Sequence, residues 1–348
     1  MQYLLLLGVL LWSVPAHAVT ADEDFAARCT AAGVVKCVGF DVSGDFTHGT
    51  YLGPDSDGNY QAGQDTVDKT SGAGSLVFII PPPPHALANI AGGWGGLTAP
   101  LWSRKFKEHD SWNVQFRIKI SAEMMNNTWD YQKAWKTFTM YMDTVPCFGG
   151  IGFATHNYPH GIPTHYTACG QNNLITNTAT GNWTTTSDPQ GYSYQQGQWA
   201  STCRYNHTSA TWCWSWPANT WITFYYQFQV GTWDQSDSHI KVWFALPGDT
   251  SYTLLNDVPN MFMTCRTHPC DQAQGQSEGY NNIQVTPYMT GLGRDEGRAD
   301  VTSKLWYDEL IVSTAEIAVP VGTTVTPPPA IPRFRGGGGK GGGGGRTQ

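Results

Sequence analysis

The chain has 348 residues, of which 14% are charged and 13% aromatic, and its formal net charge is −7. That length holds one large β-domain or two small ones with a sizeable core. The sparse charge, with abundant Gly, Thr, Asn and Gln, suits a loop-rich, exported all-β protein. The acidic balance and the lack of any basic run or RNA-binding motif exclude a general nucleic-acid binder.

The first 18 residues read as a secretory signal. Leu4 to Leu11 is an apolar core and Ala16-His17-Ala18 an A-x-A cleavage site, although the n-region carries no Lys or Arg. The apolar run is too short to span a bilayer, and no later segment approaches transmembrane length. A secreted, extracellular or periplasmic protein is expected.

The stretch from Ala21 to Gly39 predicts a short helical turn held by Cys29 and Cys37. Eight cysteines in an oxidising compartment predict disulfides, and the sequence-local pairs are Cys29–Cys37, Cys147–Cys169, Cys203–Cys213 and Cys265–Cys270. No Cys/His spacing resembles a zinc finger. Next comes the turn-rich loop GPDSDGNYQAGQD, in which Asp55, Asp57 and Asn59 alternate around Gly58. Hard oxygen donors in that pattern suit a structural Ca²⁺, and a metal-free Asp/Gly turn is the simpler alternative. No other cofactor is required.

Strands are expected at Leu76 to Ile80, Trp112 to Ser121, Ala134 to Asp143, Ile151 to Thr155, Thr220 to Gly231, His239 to Ala245 and Leu305 to Ser313, separated by Gly, Pro and Asn clusters. Two alternate strictly. Trp112, Val114, Phe116, Ile118 and Ile120 oppose Asn113, Gln115, Arg117 and Lys119. Ile222, Phe224, Tyr226, Phe228 and Val230 oppose Trp221, Thr223, Tyr225, Gln227 and Gln229. Many strands with few amphipathic helices, and no repeat of 20 to 50 residues, predict an antiparallel two-sheet β-sandwich or jelly roll. The long polar stretch from Asn157 to Asn219 reads as a loop-rich insertion. The organisation expected is a signal peptide (1–18), an N-terminal segment (19–45), a β-domain (46–321) and a Pro/Gly-rich disordered tail (322–348), which is either a plain end or a surface tether.

The polar strand faces carry the functional expectation. Alternation puts Gln115, Arg117 and Lys119 on one face, Trp135 and Tyr141 on another, then Tyr225, Gln227 and Gln229, then Lys241 and Trp243. If these faces line one groove, rings stack on sugar C–H faces, amides bond hydroxyls, and cations meet carboxylates or sulfates. Trp212, Trp214 and Trp216 would share one side of a strand, and burial as a satellite core is the better reading of three indoles.

His156, His160 and His165 cluster with Tyr158 and Tyr166, in no metal-binding spacing. A lyase on a uronate chain needs a base, an acid for the leaving oxygen, and a group that neutralises the carboxylate. His156 or His165, Tyr166 or Tyr225, and Arg117 or Gln227 fit those three roles. The E-x-D-x-x-E pattern of sandwich hydrolases is absent, and Asp308 and Glu309 are adjacent, which in a regular strand sends them to opposite faces. Sequons at Asn126, Asn182 and Asn206 matter only in a host that glycosylates.

The segments DTVDKTSGAGSLVF, WNVQFRIKIS, WKTFTMYM, WITFYYQFQVGTW and KLWYDELIVST span about residues 60 to 318. Together they resemble the concanavalin A-like lectin/glucanase superfamily, in particular secreted jelly-roll proteins of the polysaccharide-lyase and carbohydrate-binding type. The resemblance implies two facing antiparallel sheets with ligand on the concave one. The alginate-lyase motifs R-x-E-x-R and Q-I-H are absent, so no catalytic set carries over. The expected functions, in order, are a carbohydrate-binding protein, a lyase cleaving an acidic polysaccharide by β-elimination, and a surface or matrix adhesion protein. The partner is a polysaccharide in the first two; the oligomeric state is unread.

Overall fold

The computed structural model describes residues 19–46, 53–54, 60–80, 97–100, 104–126, 135–142, 151–158, 162–166, 172–176, 183–187, 216–232, 235, 237–261, 279–289 and 301–321. The chain opens with helix α1 (Ala21–Cys29), strand β1 (Val34–Val38) and a 3-10 turn at Ser43–Phe46. Strands β2 (Gly53–Pro54), β3 (Tyr60–Asp65), β4 (Ser75–Ile80), β5 (Leu97–Pro100) and β6 (Ser111–Ile120) follow, then a short helix α2 (Ala122–Asn126). After these come β7 (Trp135–Met142), β8 (Ile151–Tyr158), β9 (Ile162–Tyr166), β10 (Asn172–Thr176) and β11 (Trp183–Ser187). The last five are β12 (Ile222–Gln229), β13 (Ser238–Ala245), β14 (Thr253–Met261), β15 (Tyr280–Met289) and β16 (Ser303–Ser313).

The strands form two antiparallel sheets. The first runs β14-β13-β12-β6-β16-β4-β3-β2, with β1 on β16; the second runs β11-β10-β9-β8-β7-β15-β5. Neighbours far apart in sequence, such as β6 beside β16 and β7 beside β15, give the crossovers of a jelly roll. The expected sandwich is therefore the architecture observed. One expectation changes: the polar stretch from 157 to 219, read as loop, contributes β9, β10 and β11, which extend the second sheet. Its Thr- and Asn-rich segments lack the apolar alternation that announces a strand.

The core lies between the sheets. The apolar faces of β6 and β12 are buried as their alternation predicts, with Trp112, Val114, Ile118, Phe224, Tyr226 and Phe228 at 0–1% exposure. They meet the second sheet ring on ring: Phe116 stacks on Phe138 at 5.3 Å, Tyr226 on Phe138 at 4.8 Å, and Trp112 lies 5.5 Å from Tyr280. Each such ring contributes roughly 1.5–3 kcal/mol by leaving water. Trp216 joins this core, 4.4 Å from Phe224; Trp212 and Trp214 lie outside the described residues.

Helix α1 begins at a capping box. Thr20 accepts from the Glu23 amide while the Glu23 carboxylate takes the Thr20 amide, and Asp22, Glu23 and Asp24 complement the dipole of the first turn. Phe25 and Arg28 turn inward onto the first sheet. The expected Cys29–Cys37 disulfide joins α1 to β1; the other six cysteines lie outside the described residues. Among the described residues no helix is long and apolar enough to cross a membrane.

Candidate functional site

Each sheet has an outer face, and the two differ. On the first sheet the residues chosen from alternation do share one face. Gln115, Tyr225 and Trp243 pair in one row, Asn113, Gln227, Lys241 and Asp257 in the next, and Arg117, Thr223 and Ala245 in a third. The centre of this face is covered, which corrects the expectation of an open groove. Gln115 is 0%, Arg117 3% and Tyr225 5% exposed. Phe25, Ile311 and Ile317 pack over Tyr225, with Trp243 and Tyr252 at the margin. Gln115 donates to the Ala318 carbonyl at 2.8 Å and to the Tyr252 hydroxyl. Tyr225 donates to Asn113 at 2.8 Å, and Asn113 in turn to the Ala315 carbonyl at 2.9 Å. Burial raises the Tyr225 phenol above its ordinary value, so it stays protonated, and its proton is committed to Asn113 beneath the cover.

Beneath this cover lies a buried charge cluster. Arg28 donates through Nε to Asp24 at 2.8 Å, through Nη1 to Gln115 Oε1 at 2.6 Å, and through Nη2 to Glu309. Arg117 Nε sits 3.0 Å from Glu309 Oε2. The Thr70 hydroxyl lies 2.7 Å from Asp308 Oδ2 and 3.0 Å from Glu309 Oε1, so both carboxylates look the same way. Alternation predicts opposite faces for them. The difference arises from a bulge between Asp308 and Ile311, where Glu309 takes a φ of 50°. Both carboxyls are 0% exposed and bonded into the cluster, so the pair faces no substrate.

The rest of this face is only partly open. Lys119 is clamped 2.5 Å from Asp68 and lies over the Trp306 ring at 4.9 Å. Lys241 reaches Asp257 at 3.5 Å, and His239 holds the same carboxylate at 2.5 Å. Gln227 and Trp243 are half-buried, and Gln229 is exposed.

The second sheet has the other outer face. Phe138, Met140, Ile283 and Val285 are fully buried and mark its core side. Directly paired positions share a face and neighbours along a strand alternate. Position 155 pairs with Phe138, so 154 and 156 fall on the outer face. The outer face therefore collects Lys136 and Thr164, each paired with His156, and Thr139 and Tyr166, each paired with Ala154. It also collects Gln284, paired with Thr139, and Tyr288, paired with Lys136. Positions 156 and 166 are diagonal neighbours, about 7–8 Å apart. Positions 136 and 156 face each other directly, at about 5 Å.

The register separates residues that spacing had grouped. His165 pairs with Thr155 and Leu174 and falls in the core-side row of Phe138, away from His156 and Tyr166. Trp135 and Tyr141, expected on one face, fall on opposite ones, because a register shift between Lys136 and Phe138 inverts the alternation. Tyr141, paired with Asn282, keeps the outer face. His160 and the candidate Ca²⁺ ligands Asp55, Asp57 and Asn59 lie outside the described residues. Sequence reading missed Lys136, Asn282 and Gln284. The signal for the last two was the alternation of Ile283 and Val285 with Asn282 and Gln284, obscured by Pro287 in the same run.

No family model and no curated protein matches the chain. Among solved structures, the chain is similar to an alginate lyase of the marine Aplysia kurodai, 11% identical over 82% of this chain and 100% of that one, with a TM-score of 0.48. It is similar also to an endo-β-1,4-glucuronan lyase of the fungus Trichoderma reesei, 11% identical over 73% and 87%, TM-score 0.44. A receptor-binding domain of a botulinum neurotoxin is a more distant likeness, 10% identical over 82% of this chain and 48% of that one, with a TM-score of 0.34. The likeness is one of strand arrangement only.

Proposed function

We propose that this chain is an exported polysaccharide lyase that cleaves an acidic glycan by β-elimination on the outer face of the seven-stranded sheet. The observation that carries the proposal is the register that gathers His156, Tyr166, Lys136 and Gln284 on one face. These residue types fill the roles the reaction needs. His156 takes the proton from the carbon beside the uronate carboxylate. Lys136 and Gln284 neutralise that carboxylate and so stabilise the carbanion-like transition state. The electron pair left behind forms the carbon–carbon double bond as the bond to the glycosidic oxygen breaks. Tyr166 gives that oxygen a proton. Water is not consumed, and one new chain end carries the unsaturated uronate.

The test is ultraviolet absorbance of unsaturated ends, with mature protein and a panel of uronate polymers, with and without Ca²⁺. One polymer should give a rising signal, and His156→Ala or Tyr166→Phe should lower the rate on the order of 10²- to 10⁴-fold. Full activity in both variants removes these residues as the acid–base pair. A flat signal on every polymer, with the same polymers retarding the protein in affinity gels, leaves a carbohydrate-binding protein and ends the elimination reading.

A further inference from the structure

One register row crosses every strand of the seven-stranded sheet on its outer face. From Tyr166 on β9 it passes to Asn173 on β10 and Thr186 on β11. In the other direction it passes through Ala154 and Thr139 to Gln284 on β15 and Thr98 on β5. Neighbouring strands lie about 4.8 Å apart, so the row is about 29 Å long. All its positions but Ala154 carry hydroxyl or amide types. The charge of the sheet is equally uniform. Its seven strands hold no Asp or Glu, although the chain has 27, and their one Lys or Arg is Lys136. The strands of the other sheet, by contrast, include Asp65, Asp257, Asp308 and Glu309. In a chain of net charge −7, the seven-stranded sheet is thus free of the strand carboxylates that repel a polyanion.

We infer that this row is a track for about six uronate units laid across the strands, cut near the middle, with the non-reducing part over β9 to β11. An extended pyranose chain advances per unit by nearly the spacing of two strands, so each strand serves one unit. Amide and hydroxyl types bond sugar hydroxyls and carboxylates without adding charge of their own. The direction of the chain rests on the elimination reading. His156 on β8, Lys136 on β7 and Gln284 on β15 act on the unit that loses its proton, and Tyr166 on β9 protonates the departing oxygen. In a 4-linked uronate that oxygen stays with the neighbour on the non-reducing side. That neighbour therefore lies over β9, with β10 and β11 beyond it, and the reducing part lies toward β15 and β5. Three strands stand on one side of the broken bond and four on the other, which suits cleavage inside a chain and not at its end.

The test is cleavage of 4-linked glucuronate and mannuronate oligomers, from trimer to heptamer, by the full mature chain, read by ultraviolet absorbance and mass spectrometry. In the series that responds, kcat/KM should rise on the order of tenfold from trimer to hexamer, because remote units add binding energy in the transition state. The first products of the hexamer should be trimers. An acid placed at either end of the row, Thr186→Glu or Thr98→Glu, should raise KM for the hexamer about two- to fivefold, the scale of one exposed charge contact. Val67→Glu adds the same charge at a position 89% exposed outside the strands and should leave KM unchanged. A thermal melt confirms the fold of each variant. The track is overturned, and elimination survives, if trimer and hexamer are cut equally well or if monomer or dimer leaves an end from the outset. It is overturned also if both row variants keep the KM, or if Val67→Glu raises it as much. No unsaturated ends from any oligomer or polymer ends the elimination reading and the track with it.

Discussion

The outer faces of the two sheets were equally polar in sequence, but at the centre of the first the polar side chains are buried. On the nine-stranded sheet, Gln115 and Tyr225 are sealed under α1 and the segment after β16. On the seven-stranded sheet, the outer face holds Lys136, His156, Tyr166 and Gln284 in adjoining rows. A polar strand face is thus either open or the underside of a lid. Which it becomes depends on whether a distant piece of chain brings partners for its hydrogen bonds.

If that contrast is right, damage to the first face should appear in stability and damage to the second in activity. The largest stability effect is expected at Glu309, whose carboxylate holds both Arg28 and Arg117. Glu309→Gln leaves two buried guanidiniums short of a counter-charge, and about 3–5 kcal/mol should be lost in urea unfolding. Activity per folded molecule should be unchanged. A loss below about 0.5 kcal/mol, the scale of an ordinary surface change, would mean that the cluster is not closed.

The next effect is one of pH. Burial, and then the neighbouring Glu309, push Asp308 from its ordinary 3.8 up to about 7. The folded protein therefore holds a proton that the unfolded chain has released. Stability from this group is complete below the ordinary value and falls as pH rises toward 7. Asp308→Asn should flatten that part of the profile, read as urea midpoints across the range. An unchanged slope would assign it to another group.

The smallest effect is expected at the helix end. Thr20→Ala removes the cap of α1 and should cost about 1 kcal/mol. Because the described contacts of α1 lie on the first sheet, this change should leave the proposed elimination untouched. A parallel loss of activity would show that the two faces communicate.

Much of the architecture could be read directly. The expected strands at 76–80, 112–121, 134–143, 220–231, 239–245 and 305–313 correspond to β4, β6, β7, β12, β13 and β16 within a few residues. Their apolar alternation is strong, and it is a local property of each segment. β9, β10 and β11 were hidden because their few apolar residues, such as the adjacent Leu174 and Ile175, do not alternate with polar ones, so no periodicity marks them. Of the candidate site, His156 and Tyr166 were legible as a type and a neighbourhood, while Lys136 and Gln284 were not.

What the sequence determined by itself was parity: in a regular strand the direction of each side chain follows from a two-residue repeat, so residues sharing a face can be named without a structure. Parity failed where a bulge added one residue. Beyond Lys136 it sends Trp135 and Tyr141 to opposite faces, and at Glu309 it turns adjacent carboxylates the same way. The tertiary structure alone decided which face is covered. The cover comes from α1 and from residues 315–318, about 90 positions before and 200 positions after the β6 residues they bond. No local pattern in β6 records the arrival of partners from so far along the chain, because that pairing is settled only when the sheets pack.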